Sequence, residues 1–466
     1  MSSIAPPKEI FRQYDIRGIA GEVLNEVLAE SLGAAFGSEL VERGGRRVAL
    51  GHDCRLSSPM LYEAFARGLE RCGLHILCLG EVPTPLTSFA ISELDCDGAA
   101  MVTGSHNPPR WNGFKLALSS GPFYGKEIQG LRERIIGSDF SESNVKSHRE
   151  EVELIPRWAE KWASTLQFST HRLKVVVDAG NGVAGPAALA LYALLPIDVI
   201  PLFCEPNGHF PNHHPDPTRE ENLSALRDAV HTEGADLGIS FDGDGDRIGI
   251  IDRRGEIIWG DQLLLFFAEQ LLKVHPKAKI IGEVKCSQLL YDGVAAAGGE
   301  AEMWKVGHSL IKARMKETGA LIAGEMSGHI FFADRFPGYD DAAYVGARLF
   351  EILSDPAIDL SAWLDALPTQ FNTPELRVFC PDEAKVSVIE RASAFFSSRY
   401  EVNEIDGVRI RFQSGWGLIR ASNTQPVLVL RFEAGSEAAL GEARAEVERW
   451  LRVEAPEVDL DRDPDH

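Results

Sequence analysis

The sequence predicts an α/β protein: three related α/β domains in series, then a smaller C-terminal α+β domain. Three observations predict it. A strand–helix–strand pattern occurs three times along the chain. The C-terminal stretch breaks the pattern with short strands and one amphipathic helix. The length, 466 residues, suits three or four domains, each large enough to bury its own core.

Arg47-Val-Ala-Leu-Gly-His-Asp53 reads as a buried strand, Met60–Cys72 as a helix and Leu74–Leu79 as the next strand. Leu173-Lys-Val-Val-Val-Asp178, the apolar Ala187–Leu195 behind a Gly-rich turn, and Ile197–Phe203 repeat the order. Lys279-Ile-Ile-Gly-Glu-Val284, Gln288–Ala297 and Glu302-Met-Trp304 repeat it again. Strands joined through a helix pair in parallel, so each unit is expected to build a helix-covered sheet. Val408–Phe412, Trp416–Arg420 and Val427–Phe432 are short strands between turns, and Ala438–Leu451 has the apolar spacing of an amphipathic helix. The acidic, Pro-rich tail after Ala455 is expected to fray. Boundaries fall near 150, 255 and 366, giving segments 1–150, 151–255, 256–365 and 366–466.

With 25% charged and 44% hydrophobic residues, the composition excludes disordered, collagen-like and membrane-channel classes. Lysine and arginine number 47 against 69 acidic residues, a net charge of −22. Such a surface repels nucleic acid and anionic lipid, and neither is expected as a partner. A small anionic substrate remains open wherever basic groups converge. Seven cysteines without a C-x-x-C pair make neither a disulfide framework nor a structural zinc site. The start, Met1-Ser-Ser-Ile-Ala-Pro-Pro-Lys8, lacks the sections of a signal peptide, and the longest apolar run, Ala187–Leu195, falls well short of the ~20 residues of a spanning helix. A cytoplasmic protein is expected.

Four motifs carry chemistry. Asp242-Gly-Asp244-Gly-Asp246-Arg247 follows a strand-like run, Asp236–Ser240. Alternate residues of an extended segment point the same way, so the three carboxylates are expected on one face, where hard anionic oxygens suit Mg²⁺. A calcium EF-hand fails on spacing, because its sixth position is Arg247 and its twelfth is Arg253. Thr103-Gly-Ser105-His106-Asn107-Pro108 follows the apolar strand Gly98–Val102, and its hydroxyl beside an imidazole can act as a nucleophile or carry a phosphoryl group. Gly324-Glu325-Met326-Ser327-Gly328-His329 can present Glu325 and Ser327 together to adjacent hydroxyls of a sugar, although a plain polar turn would read the same. Arg420-Ala-Ser422-Asn423-Thr424 groups a guanidinium, two hydroxyls and an amide, a cradle for a phosphate dianion.

Basic groups that could support such a site are Arg17, Lys115, Lys285, Lys305 and His308. His209, His213 and His214 lie among prolines without thiols, which favours a structured loop over a zinc site. Gly180-Asn-Gly182-Val-Ala-Gly185 is a literal G-x-G-x-x-G between a strand and a helix, with Glu205 about twenty residues on. A dinucleotide-binding oxidoreductase is therefore the rival class. Pro186 follows at once, and a tight strand-to-helix turn explains the glycines more simply.

Taken in order, the four motifs resemble the signature of the α-D-phosphohexomutase superfamily, nearest its bacterial phosphomannomutase/phosphoglucomutase branch. The resemblance runs from Tyr14-Asp-Ile-Arg-Gly18 to Arg431. It implies an intramolecular phosphotransferase whose site lies in the central cleft between four domains, interconverting hexose 1-phosphate and hexose 6-phosphate through a phosphoserine and a reorienting hexose 1,6-bisphosphate. By the resemblance Ser105 is the phosphoserine and, with Asp242, Asp244 and Asp246, holds Mg²⁺. His106 and Lys115 would transfer protons and Arg247 would line the transferring phosphoryl group. Glu325, Ser327 and His329 belong to the sugar loop; Arg420, Ser422, Asn423 and Thr424 would bind the non-reacting phosphate. Tyr14, Arg17, Lys285 and His308 would complete the substrate cleft. The related phosphoglucosamine mutases usually carry Ser-Ala before the nucleophilic serine and Gln before the sugar-loop serine. Thr103-Gly104 and Met326 therefore favour mannose and glucose phosphates, with both sugars accepted. A monomer binding small sugar phosphates is expected.

Overall fold

The computed structural model describes residues 6–422 and 425–462. It contains four sheets in chain order. A seven-stranded sheet is followed by one of five strands, one of four, and a C-terminal one of six. The three repeats are strand–helix–strand units as expected. Arg47–His52, the helix Ser58–Arg71 and His75–Glu81 form the first, with the two strands parallel. Lys174–Asp178, Ala184–Tyr192 and Asp198–Leu202 form the second, and Lys279–Glu283, Gln288–Ala296 and Glu300–Trp304 the third, both parallel. Leu61, Phe65 and Leu69 recur every fourth residue of the first helix and are buried, which is why that stretch is helical against its sheet. Ser287 caps the third helix by accepting from the Leu289 amide at 3.1 Å.

The sheets are mixed, because each repeat adds an antiparallel hairpin to its parallel half. Gly98–Val102 pairs antiparallel with Trp111–Leu118, Leu237–Phe241 with Ile248–Asp252, and Ile322–Gly324 with Ile330–Phe332. In the C-terminal sheet Gly415–Ala421 pairs antiparallel with Val427–Ala434.

The structure refines three sequence expectations. Each α/β segment buries a cluster of its own, around Phe36 and Phe65, around Val176 and Leu226, and around Ile281 and Phe331, and a further apolar cluster shared among them runs from Leu77 and Phe89 through Val177, Ile239 and Phe267 to Phe350. The C-terminal sheet has a self-contained core, around Phe396, Ile419, Phe432 and Trp450. That domain also holds a further helix, Lys385–Ser397, whose Val388, Ala392 and Phe396 are buried at intervals of four. Finally, the tail past Ala455 does not fray within the described residues. Val458 is buried, and Asp459 bridges to Phe379 at the sheet edge.

Candidate active site

All four chemically loaded motifs occupy the same place in their units: the loop of an antiparallel hairpin, leaving the carboxyl end of its first strand. The first loop follows Val102, the second Phe241, the third Gly324 and the fourth Ala421. In open α/β sheets this end is where ligands bind, since side chains there converge without blocking the sheet.

The first loop is held in a strained form. Ser105 has φ of +49°, a left-handed conformation that a non-glycine residue adopts only when its surroundings impose it. Arg55 imposes it. All five of its N–H groups are used: Nε donates to Asp53 (3.1 Å), Nη1 to the Pro108 and Trp111 carbonyls (2.8 and 3.1 Å), and Nη2 to the Ser105 and Asn107 carbonyls, both at 2.6 Å. Asp53 completes the brace by accepting from Ser58 Oγ, Thr103 Oγ1 and the Gly104 amide. A Cβ on Gly104 would lie 2.5 Å from Arg55 Nε and 2.7 Å from the Trp111 carbonyl, so only glycine fits there.

Thus braced, Ser105 Oγ donates to Asp242 Oδ2 at 2.9 Å and lies 3.1 Å from His106 Nδ1. The two loops touch backbone to backbone: a Cβ on Gly243 would be 2.4 Å from the Ser105 carbonyl. The acidic loop is a turn, not the extended segment expected from alternation. Asp242 Oδ1 curls it by accepting the amides of Gly245, Asp246 and Arg247 at 3.0, 3.1 and 3.2 Å. Asp242, Asp244 and Asp246 are buried and place one oxygen each within 4.8 Å of the others. Lys115 Nζ reaches Asp244 (2.7 Å) and Asp246 (2.5 Å), and Thr84 Oγ1 reaches Asp244.

Burial, reinforced by the neighbouring Asp244 and Asp246, pushes the Asp242 carboxyl well above the usual range. Burial also works against the charged Asp244, but the ammonium of Lys115 and its hydrogen bonds outweigh it and hold that group low. For Lys115 the same contest ends with the charged form favoured, since Asp244 and Asp246 override its desolvation. Asp244 Oδ1 and Asp246 Oδ1 are shielded from solvent without a hydrogen-bond partner among the described residues. Three converging carboxylates, two of which keep an unpartnered oxygen, fit a small divalent cation. Burial, with Arg247, Arg17 and Lys115 nearby, holds the His106 imidazole well below its ordinary range and therefore neutral.

The remaining expected residues lie around one cavity of about 2200 Å³. His106 and Lys115 line it from the first segment, Arg247 from the second, Glu325 and Ser327 from the third, and Arg420 from the fourth. Ser105 itself is 1% exposed. Arg17 bonds Asp15 at 2.5 Å and Asn107 at 2.7 Å, beside the serine loop. Arg247 Nε donates to His329 Nε2 at 2.9 Å, so the His329 proton sits on Nδ1, which is 2.9 Å from Asp340. His308 stacks on His329 with centroids 5.5 Å apart, and burial holds it well below its ordinary range. Glu325 accepts the Gly307 amide at 2.6 Å, and Tyr14 OH donates to the Val306 carbonyl. Lys285 pairs with Glu375 at 3.1 Å. In the fourth loop Arg420 Nε bonds Asp406 at 2.7 Å, and the Gln425 amide donates to Ser422 Oγ at 3.2 Å. Asn423 and Thr424 lie outside the described residues.

Several residues of the site escaped sequence reading. Asp53 and Arg55 brace the serine, Asp340 orients His329, Glu375 pairs Lys285, and the buried Lys385 ties the Ser422 and Gln425 carbonyls together at 2.7 and 2.8 Å. Asp53 and Arg55 alone carried a signal, being charged residues just past a buried strand. His213 and His214 form the structured loop expected, on Asp178 and on the His106 carbonyl. The Gly180–Gly185 turn is covered by the chain itself: Asn181 accepts and donates backbone bonds with Asn207 and Phe203, and its side chain bonds the Glu205 carbonyl.

Four family models match in series: phosphoglucomutase/phosphomannomutase alpha/beta/alpha domain I over residues 8–142, domain II over 157–255, domain III over 259–371, and the C-terminal domain over 375–449. The chain is 46% identical to a phosphomannomutase/phosphoglucomutase of Pseudomonas aeruginosa over 93% of each chain. It is 44% identical to a phosphoglucomutase of Neisseria gonorrhoeae over 94% of this chain and 95% of that one. A crystal structure of a phosphoglucomutase/phosphomannomutase family protein from Burkholderia thailandensis superposes with a TM-score of 0.91 at 44% identity, covering 97% of this chain and 99% of that one. Four loops converging on one cavity, with a hydroxyl against an acidic triad, define a phosphotransferase of the mutase type. The chain belongs to the phosphoglucomutase/phosphomannomutase family of the α-D-phosphohexomutase superfamily.

Proposed function

We propose that this enzyme interconverts hexose 1-phosphate and hexose 6-phosphate, of glucose and of mannose, through a phosphorylated Ser105 and a hexose 1,6-bisphosphate. The observation that carries the reading is the 2.9 Å contact between Ser105 Oγ and Asp242, made by a braced, left-handed serine at a cavity lined from all four segments. Phosphoryl transfer needs positioning and charge stabilisation more than covalent help, and the site supplies both.

In the first half-reaction the free hydroxyl of the bound sugar phosphate attacks phosphorus. The sugar oxygen–phosphorus bond forms as the bond to Ser105 Oγ breaks. The neutral His106, 3.1 Å from Ser105 Oγ, accepts the hydroxyl proton and returns it to the departing serine oxygen. Lys115 is held as an ammonium by two carboxylates, which suits it to stabilising phosphoryl oxygens more than to taking a proton. Arg247 presents its remaining donors to the same oxygens, with Nε committed to His329. Asp242, Asp244 and Asp246 would hold Mg²⁺, which supplies neutralisation of charge on the transferring group. Arg420, Ser422, Asn423 and Thr424 grip the phosphate that is not reacting, with Tyr14, Arg17, Lys285 and His308 around the cleft and Glu325 and Ser327 on the sugar hydroxyls. The bisphosphate then turns end for end and returns its other phosphoryl group to Ser105. Supplied in trace, it also charges a bare serine.

The loops come one from each of the segments 1–150, 151–255, 256–365 and 366–466, so a single chain completes the cavity and a monomer suffices. Sugar phosphates are its partners; the charge of −22 argues against nucleic acid. None of the described helices is long and apolar enough to cross a membrane. Seven free thiols accord with the cytoplasm.

The test is a coupled assay of glucose 1-phosphate and mannose 1-phosphate turnover. Both are expected to convert with dependence on Mg²⁺ and on trace bisphosphate, and Ser105→Ala is expected to abolish both. Turnover surviving in Ser105→Ala, or no label on Ser105 from radiolabelled glucose 1,6-bisphosphate, would reject the reading.

A further inference from the structure

A second cluster of metal-ligating side chains lies away from the cavity, on the edge of the first sheet. The short strand His148–Glu151 pairs in parallel with His75–Glu81, and His75 stands directly opposite His148 in the register. Residues two apart on a strand share a face, so His148 and Glu150 project to the same side as His75. Their rings confirm it: the imidazole centroids of His75 and His148 are 5.0 Å apart, and His75 Nε2 is 3.0 Å from Glu150 Oε2. The ligand atoms of all three groups lie within 4.8 Å of one another.

Ordinary ion pairing does not use this cluster up. The neighbouring Arg149 points to the other face, where it bonds Glu70 and Glu63 at 2.7 and 2.8 Å. No lysine or arginine among the described residues pairs with Glu150. His75 Nε2 is shielded from solvent yet satisfies no hydrogen-bond geometry, even toward the nearby carboxylate. Two imidazoles and one carboxylate are the donor set of borderline divalent ions, and half-exposed ligands leave the outer positions to water.

We propose that His75, His148 and Glu150 form a zinc-class divalent metal site that clips the edge strand to the first sheet. The cluster stands at the amino ends of these strands, while Asp53 and Ser105 stand beyond the carboxyl ends of theirs. At ~3.3 Å per residue the two lie about 20 Å apart along the sheet. The ion's role is structural. His148–Glu151 is a four-residue edge strand leading into the helix Ile155–Ala163, whose Trp158 and Trp162 enter the shared core. Pinning the strand fixes the passage from the first segment to the second.

Titration of Zn²⁺ into the full chain, with Mg²⁺ saturating the acidic triad, tests the site. Wild type is expected to take up one equivalent that His148→Ala and Glu150→Gln each weaken at least tenfold. Both variants change exposed side chains and are expected to keep the metal-free melting temperature and the Mg²⁺-dependent turnover. Cu²⁺ used as a spectroscopic probe is expected to show two coupled nitrogens, falling to one in His148→Ala. Equal Zn²⁺ uptake by wild type and both variants, or nitrogen coupling unchanged by His148→Ala, would overturn the proposal.

Discussion

Arg55 has no solvent contact and no spare donor, so its substitution cannot be absorbed by water. Arg55→Met would strand the buried Asp53 carboxylate and four loop carbonyls. Breaking a buried pair from one side costs about 3–5 kcal/mol. We expect a loss of that order in urea denaturation, and turnover below wild type even where the chain is folded, since Arg55 alone ties the Ser105 and Asn107 carbonyls to the Asp53 side of the brace. Wild-type turnover in Arg55→Met would show that the serine needs no brace. Glu375 offers a pH test. Lys285 holds its carboxyl at about 2, against 4.5 for the free group. A depressed folded value means that the stabilisation is complete above about pH 4.5 and is lost as the pH falls toward 2. Its size is on the order of 3 kcal/mol. Glu375→Gln should therefore flatten the loss of stability across that window in urea midpoints. A profile identical to wild type would place the acid sensitivity elsewhere.

Hairpin loops carry the chemistry, and their spacing from one another is set by backbone contact. Gly243 approaches the Ser105 carbonyl so closely that one added carbon must separate the two loops. A shift of about 1 Å at a reacting group costs on the order of 100-fold in rate. Gly243→Ala is expected to lose turnover by that factor with its melting temperature little changed. A variant that unfolds instead would assign the glycine to the core. The same loops show what a sequence discloses. Asp242 through Arg247 and Thr103 through Pro108 are legible because the groups that act together sit within six residues of each other. The brace is not, because Arg55 and the Ser105 carbonyl are 50 residues apart and meet only through strand order. Lys385 is hidden likewise, 37 residues before the Ser422 carbonyl it binds. The parallel half of each sheet could be read from its repeat. The antiparallel hairpin of the first unit could not, since its return strand, Trp111–Leu118, mixes polar and apolar residues without clean alternation.

The shared core makes the first three segments one body, whereas the fourth joins it through a small set of contacts beside the cavity. Arg409 is the chief of these. It is buried, stacks 3.7 Å over Trp416, and donates to the Val284 and Cys286 carbonyls at 2.6 and 2.8 Å. Asp406 adds a relay: it accepts the Val306 amide at 3.0 Å and Arg420 Nε at 2.7 Å, while Tyr14 OH reaches the Val306 carbonyl from the first segment. Arg420 is thereby placed against three segments at once. A bisphosphate that must turn over needs this segment to loosen, and a substrate that must react needs it docked. Arg409→Met keeps the apolar stem but leaves two buried carbonyls unpaired, at about 1–3 kcal/mol each. The cost falls on the docked state, so KM for glucose 1-phosphate should rise about tenfold or more, while kcat, measured at saturation, should change much less. Trp416 should also become more exposed, seen as a red shift in fluorescence that saturating substrate reverses. A lower kcat at unchanged KM would mean that Arg409 acts on the chemical step and that docking is held elsewhere.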